Sequence, residues 1–421
     1  MEPAISSPVA TVIERIRNTN ADFIHLQFTD ILGAVKGVTI PASRLESALA
    51  EGVWFDGSSV EGWARVAESD LYLRPDPQSL TLFPWENPPA ARFMCDLTLP
   101  DGEPFVGDPR QALKRVLAEA AEAGFDYRAS AEVEFFLFVN ERSVALELAK
   151  GLEPSDADSY YSLPTEKITR LCQLVSRTME GCGFEVAATH HEVSPGQHEI
   201  DLAEHDGLRI ADAIATLKIA LRACGEREQM LATFMPKPLA SLSGSGLHLQ
   251  QALFDRRTGA NAFYDASASY GLSAIGRSFV AGQLAHARGM CALMAPLVNS
   301  YKRLRGGGEA PALIDWARIN RGALIRVPEV GPNSDRIYVE LRSPDPSCNP
   351  YLALAGALKA GLEGILNRLE LPEPVEERQG SGEQSDEAEA DPLPSTLGEA
   401  IEELEWDPVV RAALGQAIYE R

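Results

Sequence analysis

AEVEFFLF, residues 131–138, is an extended run in which Glu132 and Glu134 lie two apart, so both carboxylates point to one face while Val133 and Phe135 point to the other. The FFLF that closes it implies a buried strand, where two unpaired carboxylates are expensive, so positive charge is expected nearby. Further extended runs are expected at 186–191, 246–254 and 337–342, alternating with helical stretches at 166–180, 207–230, 271–303 and 349–369. The pattern predicts an α+β fold whose larger domain, residues 105–421, is a mostly antiparallel sheet flanked by helices. That domain opens on GDPRQALKRVLAEAAEAGF, with Asp108 as N-cap, Pro109 at the first helical position, apolar residues at helical spacing and Gly124 as the stop. Residues 1–104 mix the extended runs FIHLQF (23–28), AVKGVTI (34–40) and RFMCDL (92–97) with turn-rich segments, and read as a small N-terminal sheet domain.

The 421 residues carry 38 Lys and Arg against 61 Asp and Glu, a net charge of −23, which argues against nucleic acid and anionic membrane surfaces as partners. Six scattered cysteines without a C-x-x-C pair read as buried thiols of a reducing compartment, and a cytoplasmic location is expected. The N-terminal stretch is charged where a signal peptide needs an apolar run, and no run of 18 uncharged apolar residues occurs. Residues 373–391 hold eight acids, one arginine and no aromatic residue, the composition of a solvated, disordered loop. Order is expected to resume at Thr396-Leu-Gly-Glu399, a capping box ahead of a last amphipathic helix.

Other segments add ligands of the same chemical kind. HHEVSPGQHEI (190–200) supplies Glu192 and Glu199, with a Ser-Pro-Gly turn between them that can fold both acids toward one site. In GSGLHLQQ (244–251), Gly244 and Gly246 allow close backbone approach, and His248 and Gln250 share a strand face. VELRSPDPSCNPY (339–351) puts Glu340 and Arg342 on one face, ahead of a helix capped by Asn349 and Pro350. Five carboxylates and one imidazole without a thiolate suit hard divalent cations, Mg²⁺ or Mn²⁺, and two such ions can clamp a transferring phosphoryl group. Arg303, Arg321 and Arg326 offer bidentate donors for carboxylate or phosphate, and the glycine run 306–308 before Glu309 reads as a flap carrying one acid.

Together with FTDILGAVKG, FDGSSVEGW, AESDLYLRPD, FMPKP, NSYKRL, GEAP and NRGALIRVP, these segments resemble class I glutamine synthetase over about residues 10–370. The resemblance implies a β-grasp-like N-terminal domain and ATP-dependent ligation of ammonium to the γ-carboxylate of L-glutamate through γ-glutamyl phosphate. It implies that Glu134, Glu192 and Glu199 ligate a substrate-side metal and Glu132, His248 and Glu340 a nucleotide-side metal. Arg303 resembles the glutamate-carboxylate clamp, Arg321 and Arg326 the donors to transferring phosphate, and Arg342 a further donor there. Asp56 of FDGSS resembles the acid that binds ammonium and takes its proton, supplied from a neighbouring subunit. Glu309 resembles the flap acid that shields the acyl phosphate, Gly244 a contact of substrate glutamate, and Gln250 stands in the nucleotide site. Tyr160 matches a tyrosine near the ammonium pocket, and Tyr161 is the alternative.

Several positions depart from the family pattern. Ser243 stands where Asn is usual, Ala187 replaces an acid, Gln250 a histidine and Ala252 a serine, while Gly322 and Gly308 replace a serine and a tyrosine. Arg65 resembles a residue linked to feedback inhibition. The chain closes at AIYER421, short of the usual C-terminal extension, so the implied assembly is a hexameric ring, with stacking into a dodecamer less secure. Two other readings stay open: a γ-glutamyl ligase using an organic amine, and a catalytically silent homologue.

Overall fold

The computed structural model describes residues 8–19, 21–60, 70–83, 86, 90–139, 154–305, 309–329, 335–376 and 390–421. Arg65, Gly308 and residues 377–389 of the acidic segment lie outside the described residues.

The N-terminal part is a six-stranded sheet, β1 (Phe23–Thr29), β2 (Val35–Pro41), β3 (Val53–Asp56), β4 (Asp70–Pro75), β5 (Thr81–Phe83) and β6 (Ala90–Thr98). Its order is β2-β1-β6-β4-β3 with β5 also on β6, and β1 and β6 run parallel while the other pairs are antiparallel. Ile24, Leu26, Leu71, Leu73, Phe93 and Leu97 alternate into a core of their own.

The larger sheet has eight strands: β7 (Phe125–Val139), β8 (Val186–His191), β9 (Gln197–Asp206), β10 (Met230–Thr233), β11 (Leu247–Asp255), β12 (Trp316–Ala317), β13 (Ile325–Arg326) and β14 (Val339–Leu341). The order is β12-β13-β14-β11-β7-β9-β8, with β10 also on β7, and only the β12–β13 pair is parallel. Along β7 the residues Ala129, Ala131, Val133, Phe135 and Leu137 enter the main core, which the helices Pro109–Glu122, Glu166–Gly181, Gly207–Arg227 and Pro350–Asn367 complete. The alternate positions Ser130, Glu132 and Glu134 therefore face away from those helices.

Three details differ from expectation. The helical stretch 271–303 is broken into Ala274–Ala285, Ala287–Met294 and Ser300–Leu304, because His286 leaves helical geometry and Pro296 cannot continue the second helix. Thr396 does cap the helix Leu397–Trp406 through the Glu399 N–H at 3.1 Å, but the Glu399 carboxylate turns to Ser395 N–H and Oγ rather than closing the box on Thr396. Of the acidic segment, the described end at Val375–Glu376 is tied down rather than solvated: Val375 N–H donates to Trp316 O, and the Glu376 carboxylate accepts from Arg318 and Ile319 N–H.

The two sheets meet through buried polar contacts. Asn349 caps the helix Pro350–Asn367 with its oxygen and donates its Nδ2 to Asp30 O at 3.0 Å. Arg110 reaches Asp76 and Asp96 on one side and Asp212 on the other. All six cysteines are free thiols, five buried and Cys172 half-buried. No helix among the described residues is long and apolar enough to cross a membrane.

Candidate active site

Strand register assembles the carboxylates that lie apart in sequence. Glu134 of β7 stands opposite Glu199 of β9, which stands opposite His190 of β8. One step along, Glu132 lies between His248 of β11 and Asp201 of β9, and at the far edge Glu340 of β14 lies between Gln250 of β11 and Arg326 of β13. Opposed residues on one sheet face have Cβ atoms about 4.5–5.5 Å apart, so the row is a direct product of the ladder.

Ligand atoms converge into three overlapping groups: Glu132, His248 and Glu340; Glu134, Glu199 and His248; and His190, Glu192 and Glu199. His248 is the hinge, with Nδ1 at 3.0 Å from Glu132 and 3.6 Å from Glu340, and Nε2 at 3.7 Å from Glu134. Five of the six expected ligands are buried, and Glu132 is half-buried.

The electrostatics are unbalanced. Burial pushes Glu134 up to about 7 and Glu192 up to about 8, the second helped by the charge of Glu134, and raises Glu132 and Asp201 as well. Glu199 is pushed up furthest, to about 12, by burial and then by Glu134 and Glu132. Burial and the nearby Arg342 hold the His248 imidazole well below its usual range, so it offers a neutral lone pair. An array of oxygens plus one neutral imidazole, with too little positive charge of its own, fits hard divalent cations.

Cationic side chains line one end. Arg326 donates to Glu340 at 2.9 Å, and Arg342 also bonds the Glu340 carboxylate. The exposed Glu309 lies 3.7 Å from Arg321 and 3.9 Å from Arg342, and Arg321 reaches the Tyr160 hydroxyl at 3.3 Å. Tyr160 thus faces the arginine that Glu309 faces, whereas Tyr161 is held by its backbone, N–H to His191 O, with φ at +58°.

Arg303 sits deeper than its expected clamp role suggests. Its guanidinium is buried and donates to the carbonyls of Arg342, Ser343 and Pro344, fixing the chain that carries Arg342 and leaving only part of its five-donor fork for a ligand. Gly244 and Gly246 are required by this arrangement. A Cβ at Gly244 would lie 2.6 Å from Pro236 O, and one at Gly246 would lie 2.7 Å from both Arg303 Nη2 and His248 Nε2. Gln197 joins Glu134 to Gly244 O, and Ser243 N–H rests on Ser194 Oγ.

Gln250 is occupied within the row, donating to Glu132 and receiving Ser130 Oγ at 2.7 Å. Ala252 is buried opposite Arg128, and Ala187 is exposed on β8. Asp56 lies apart from all these groups in sequence and sheet, at the end of edge strand β3, where it accepts from Ser58 N–H and Oγ.

His190, Asp201, Ser130 and Gln197 were not singled out from sequence. Each had a weak local signal, since each lies two positions from an expected ligand: Ser130 from Glu132, His190 from Glu192, and Gln197 and Asp201 from Glu199. Which partner each meets had none, because that is set by pairing between distant strands.

Family models confirm the assignment: the glutamine synthetase β-grasp domain matches residues 20–100 and the glutamine synthetase catalytic domain residues 106–421. The chain belongs to the glutamine synthetase family. It is 42% identical to the glutamine synthetase of Halobacterium salinarum, over 99% of this chain and 92% of that one. It is 44% identical to that of Thermus thermophilus, over 97% and 92% respectively, and to that of Staphylococcus aureus, over 96% and 90%. Among solved structures, GmaS in complex with ADP superposes with a TM-score of 0.84 at 31% identity, over 97% of this chain and 93% of that one. Apo GmaS gives the same TM-score at 30% identity. As a glutamine synthetase family member the chain is an ATP-dependent ligase that forms a C–N bond. The family takes glutamate, ammonia or an amine, and ATP, uses divalent metal ions and is generally oligomeric.

Proposed function

We propose that this chain joins ammonium to the γ-carboxylate of L-glutamate, with γ-glutamyl phosphate as the intermediate and ADP and phosphate as the other products. The observation that carries the reading is the row of buried glutamates around one neutral imidazole, closed at one end by Arg326 and Arg342. The identity to glutamine synthetases over nearly the whole chain favours ammonium as the nitrogen donor.

In the first step a γ-carboxylate oxygen attacks the terminal phosphorus of ATP and ADP departs. In the second, ammonia attacks the acyl carbon and phosphate departs, so a C–N bond replaces a C–O bond. Both reactants of the first step are anions, and Mg²⁺ or Mn²⁺, when bound, supplies the positive charge that lets them approach. Glu134, Glu192 and Glu199 would hold the ion on the substrate side, and Glu132, His248 and Glu340 the ion on the nucleotide side.

Arg342, Arg321 and Arg326 stabilise charge on the transferring phosphate, with Gln250 beside the nucleotide, while Arg303 and Gly244 seat the glutamate. Asp56 of the partner subunit accepts a proton from ammonium, which frees the lone pair for attack. Its place on an edge strand beside the exposed Trp54 supports delivery to a neighbouring copy, in a hexameric ring that can stack as a dodecamer. Glu309, within reach of Arg321 and Arg342, screens the acyl phosphate from water and removes the last proton.

Phosphate release from Mg²⁺, ATP and glutamate, with ammonium or a panel of amines, tests the proposal against Glu134→Ala as control. Release driven by ammonium and lost in the control supports it. Ser243, on the loop expected to meet glutamate, keeps an organic amine as the second reading, and release driven only by an amine would select that reading.

A further inference from the structure

Behind the carboxylate row, on the opposite side of β8 and β9, lies a second polar cluster that the proposed chemistry does not use. Asp156, His191 and His198 bring their ligand atoms together with side-chain exposures of 3%, 0% and 2%. The Asp156 Oδ1 accepts from His191 Nε2 at 2.8 Å, from Gly196 N–H at 2.9 Å and from Asp158 N–H at 3.1 Å, while Oδ2 faces Ser155 Oγ at 3.2 Å and His198 Nε2 at 3.3 Å. The carboxylate already accepts from His191, Gly196, Asp158 and Ser155, while His198 Nε2 lies beside it without a hydrogen bond of its own, and this favours a staple over a further cation site.

What it staples is informative. His191 directly precedes Glu192, and His198 directly precedes Glu199. Gly196 ends the turn between those two glutamates, and the loop that carries Asp156 also carries Tyr160. Three more bonds run between that loop and its supports: Tyr161 N–H to His191 O, Ser159 Oγ to Val193 O at 3.1 Å, and Ser155 N–H to Leu137 O. The His198 ring stands edge-on to His191 at 4.6 Å and packs on Phe135 of β7, so the cluster is anchored in the core.

We propose that Asp156 is a positioning residue that, through His191, His198 and the Gly196 N–H, sets the spacing of the Glu192 and Glu199 carboxylates and at the same time seats Tyr160 against Arg321. This rests on the reading that Glu192 and Glu199 hold a divalent cation beside the ammonium pocket. Partners of this kind behind metal ligands typically carry about 10- to 100-fold in metal affinity or activity. The coupling has a recognisable signature: cation affinity and nitrogen-donor KM move together, while the KM for ATP, served from the Glu132–Glu340 end of the row, stays put.

The test uses the full-length assembled protein and Asp156→Asn, which keeps the shape and removes the charge. Mn²⁺ binding is read by electron paramagnetic resonance without substrates, and KM is measured for ammonium and for ATP. The expected result is a Mn²⁺ dissociation constant and an ammonium KM each raised about tenfold or more, with the ATP KM within about twofold. Asp156→Glu is expected to recover part of both losses. Values for Mn²⁺ and ammonium within about twofold of the parent, or an ATP KM that rises by the same factor as the ammonium KM, would overturn the proposal. If Asp156→Asn fails to assemble, His198→Asn carries the same test by the same criteria. Glu192→Gln separates the two layers. If it leaves Mn²⁺ binding intact, the cation reading itself fails; if it abolishes binding while Asp156→Asn does not, only the positioning role fails.

Discussion

Two buried ionic clusters in this chain are built to opposite rules. At the junction of the two sheets, Arg110 is 3% exposed by side chain and pairs with Asp76 at 2.7 Å, Asp96 at 2.5 Å and Asp212 at 3.1 Å. Lys114 adds to Asp96 and the Tyr351 hydroxyl adds to Asp212. Burial pulls the Arg110 guanidinium down, yet Asp212 and Asp96 hold it well above its ordinary value, and Arg110 keeps Asp76 below the usual carboxylate range against the opposing effect of burial. In the larger sheet, Glu134, Glu192 and Glu199 are buried beside the half-buried Glu132, and all four are pushed up. The first cluster holds the molecule together with its own charges, while the second is left short of positive charge that only a ligand can supply.

The largest expected effect comes from removing a charge in the second cluster. Glu199→Gln lowers phosphate release by about a thousandfold or more, the scale of losing a hard-cation ligand in a phosphoryl-transfer site. The same change leaves the melting temperature of the metal-free protein nearly unchanged at neutral pH, because Glu199 already holds its proton there and Gln replaces one neutral group by another; a marked fall in that temperature would erase the contrast between the clusters. Arg110→Met acts in the opposite sense, leaving three carboxylates facing one another and lowering unfolding stability by about 3–5 kcal/mol in a denaturant titration.

Acidity sharpens the comparison further. The unfolded glutamates titrate near 4.3, whereas Glu134 and Glu192 hold their protons up to about 7 and about 8 in the fold. Their contribution is therefore fully present below the unfolded value and is lost as pH rises through the folded ones. Metal-free protein should lose about 4 kcal/mol from these two groups between pH 6 and 8.5, and saturating Mg²⁺ should flatten that slope. Calorimetric melts across this range check both slopes. The smallest effect is expected at Gln250, whose amide bonds one carboxylate of the row: Gln250→Ala raises the KM for ATP by about threefold to tenfold, the worth of one ordinary hydrogen bond.

Much of this was legible locally. Period-two alternation in AEVEFFLF placed Glu132 and Glu134 on one face, and the observed core residues Val133 and Phe135 occupy the other. The Asp108–Pro109 start and the Asn349–Pro350 start were also readable, because caps are written in adjacent residues. The break near His286 was not, since neither it nor its neighbours carry a strong stop signal. Nor was the order β14-β11-β7-β9-β8, which is a matter of pairing between segments far apart in sequence and which alone puts His248 opposite Glu132 and Glu199 opposite Glu134. For the same reason Asp156 passed unnoticed, its two histidines lying 35 and 42 positions away.

The central claim is that the carboxylate row is completed by divalent cations that displace protons. The most direct measurement is a calorimetric titration of metal-free protein with Mn²⁺ at pH 7, repeated in buffers of different ionisation enthalpy to count protons released. The account predicts about two ions per chain with about one or more protons released in total, and a release smaller by about one proton in Glu199→Gln, whose parent carboxyl holds its proton most firmly. Binding without proton release, or no binding to the assembled protein, would contradict it.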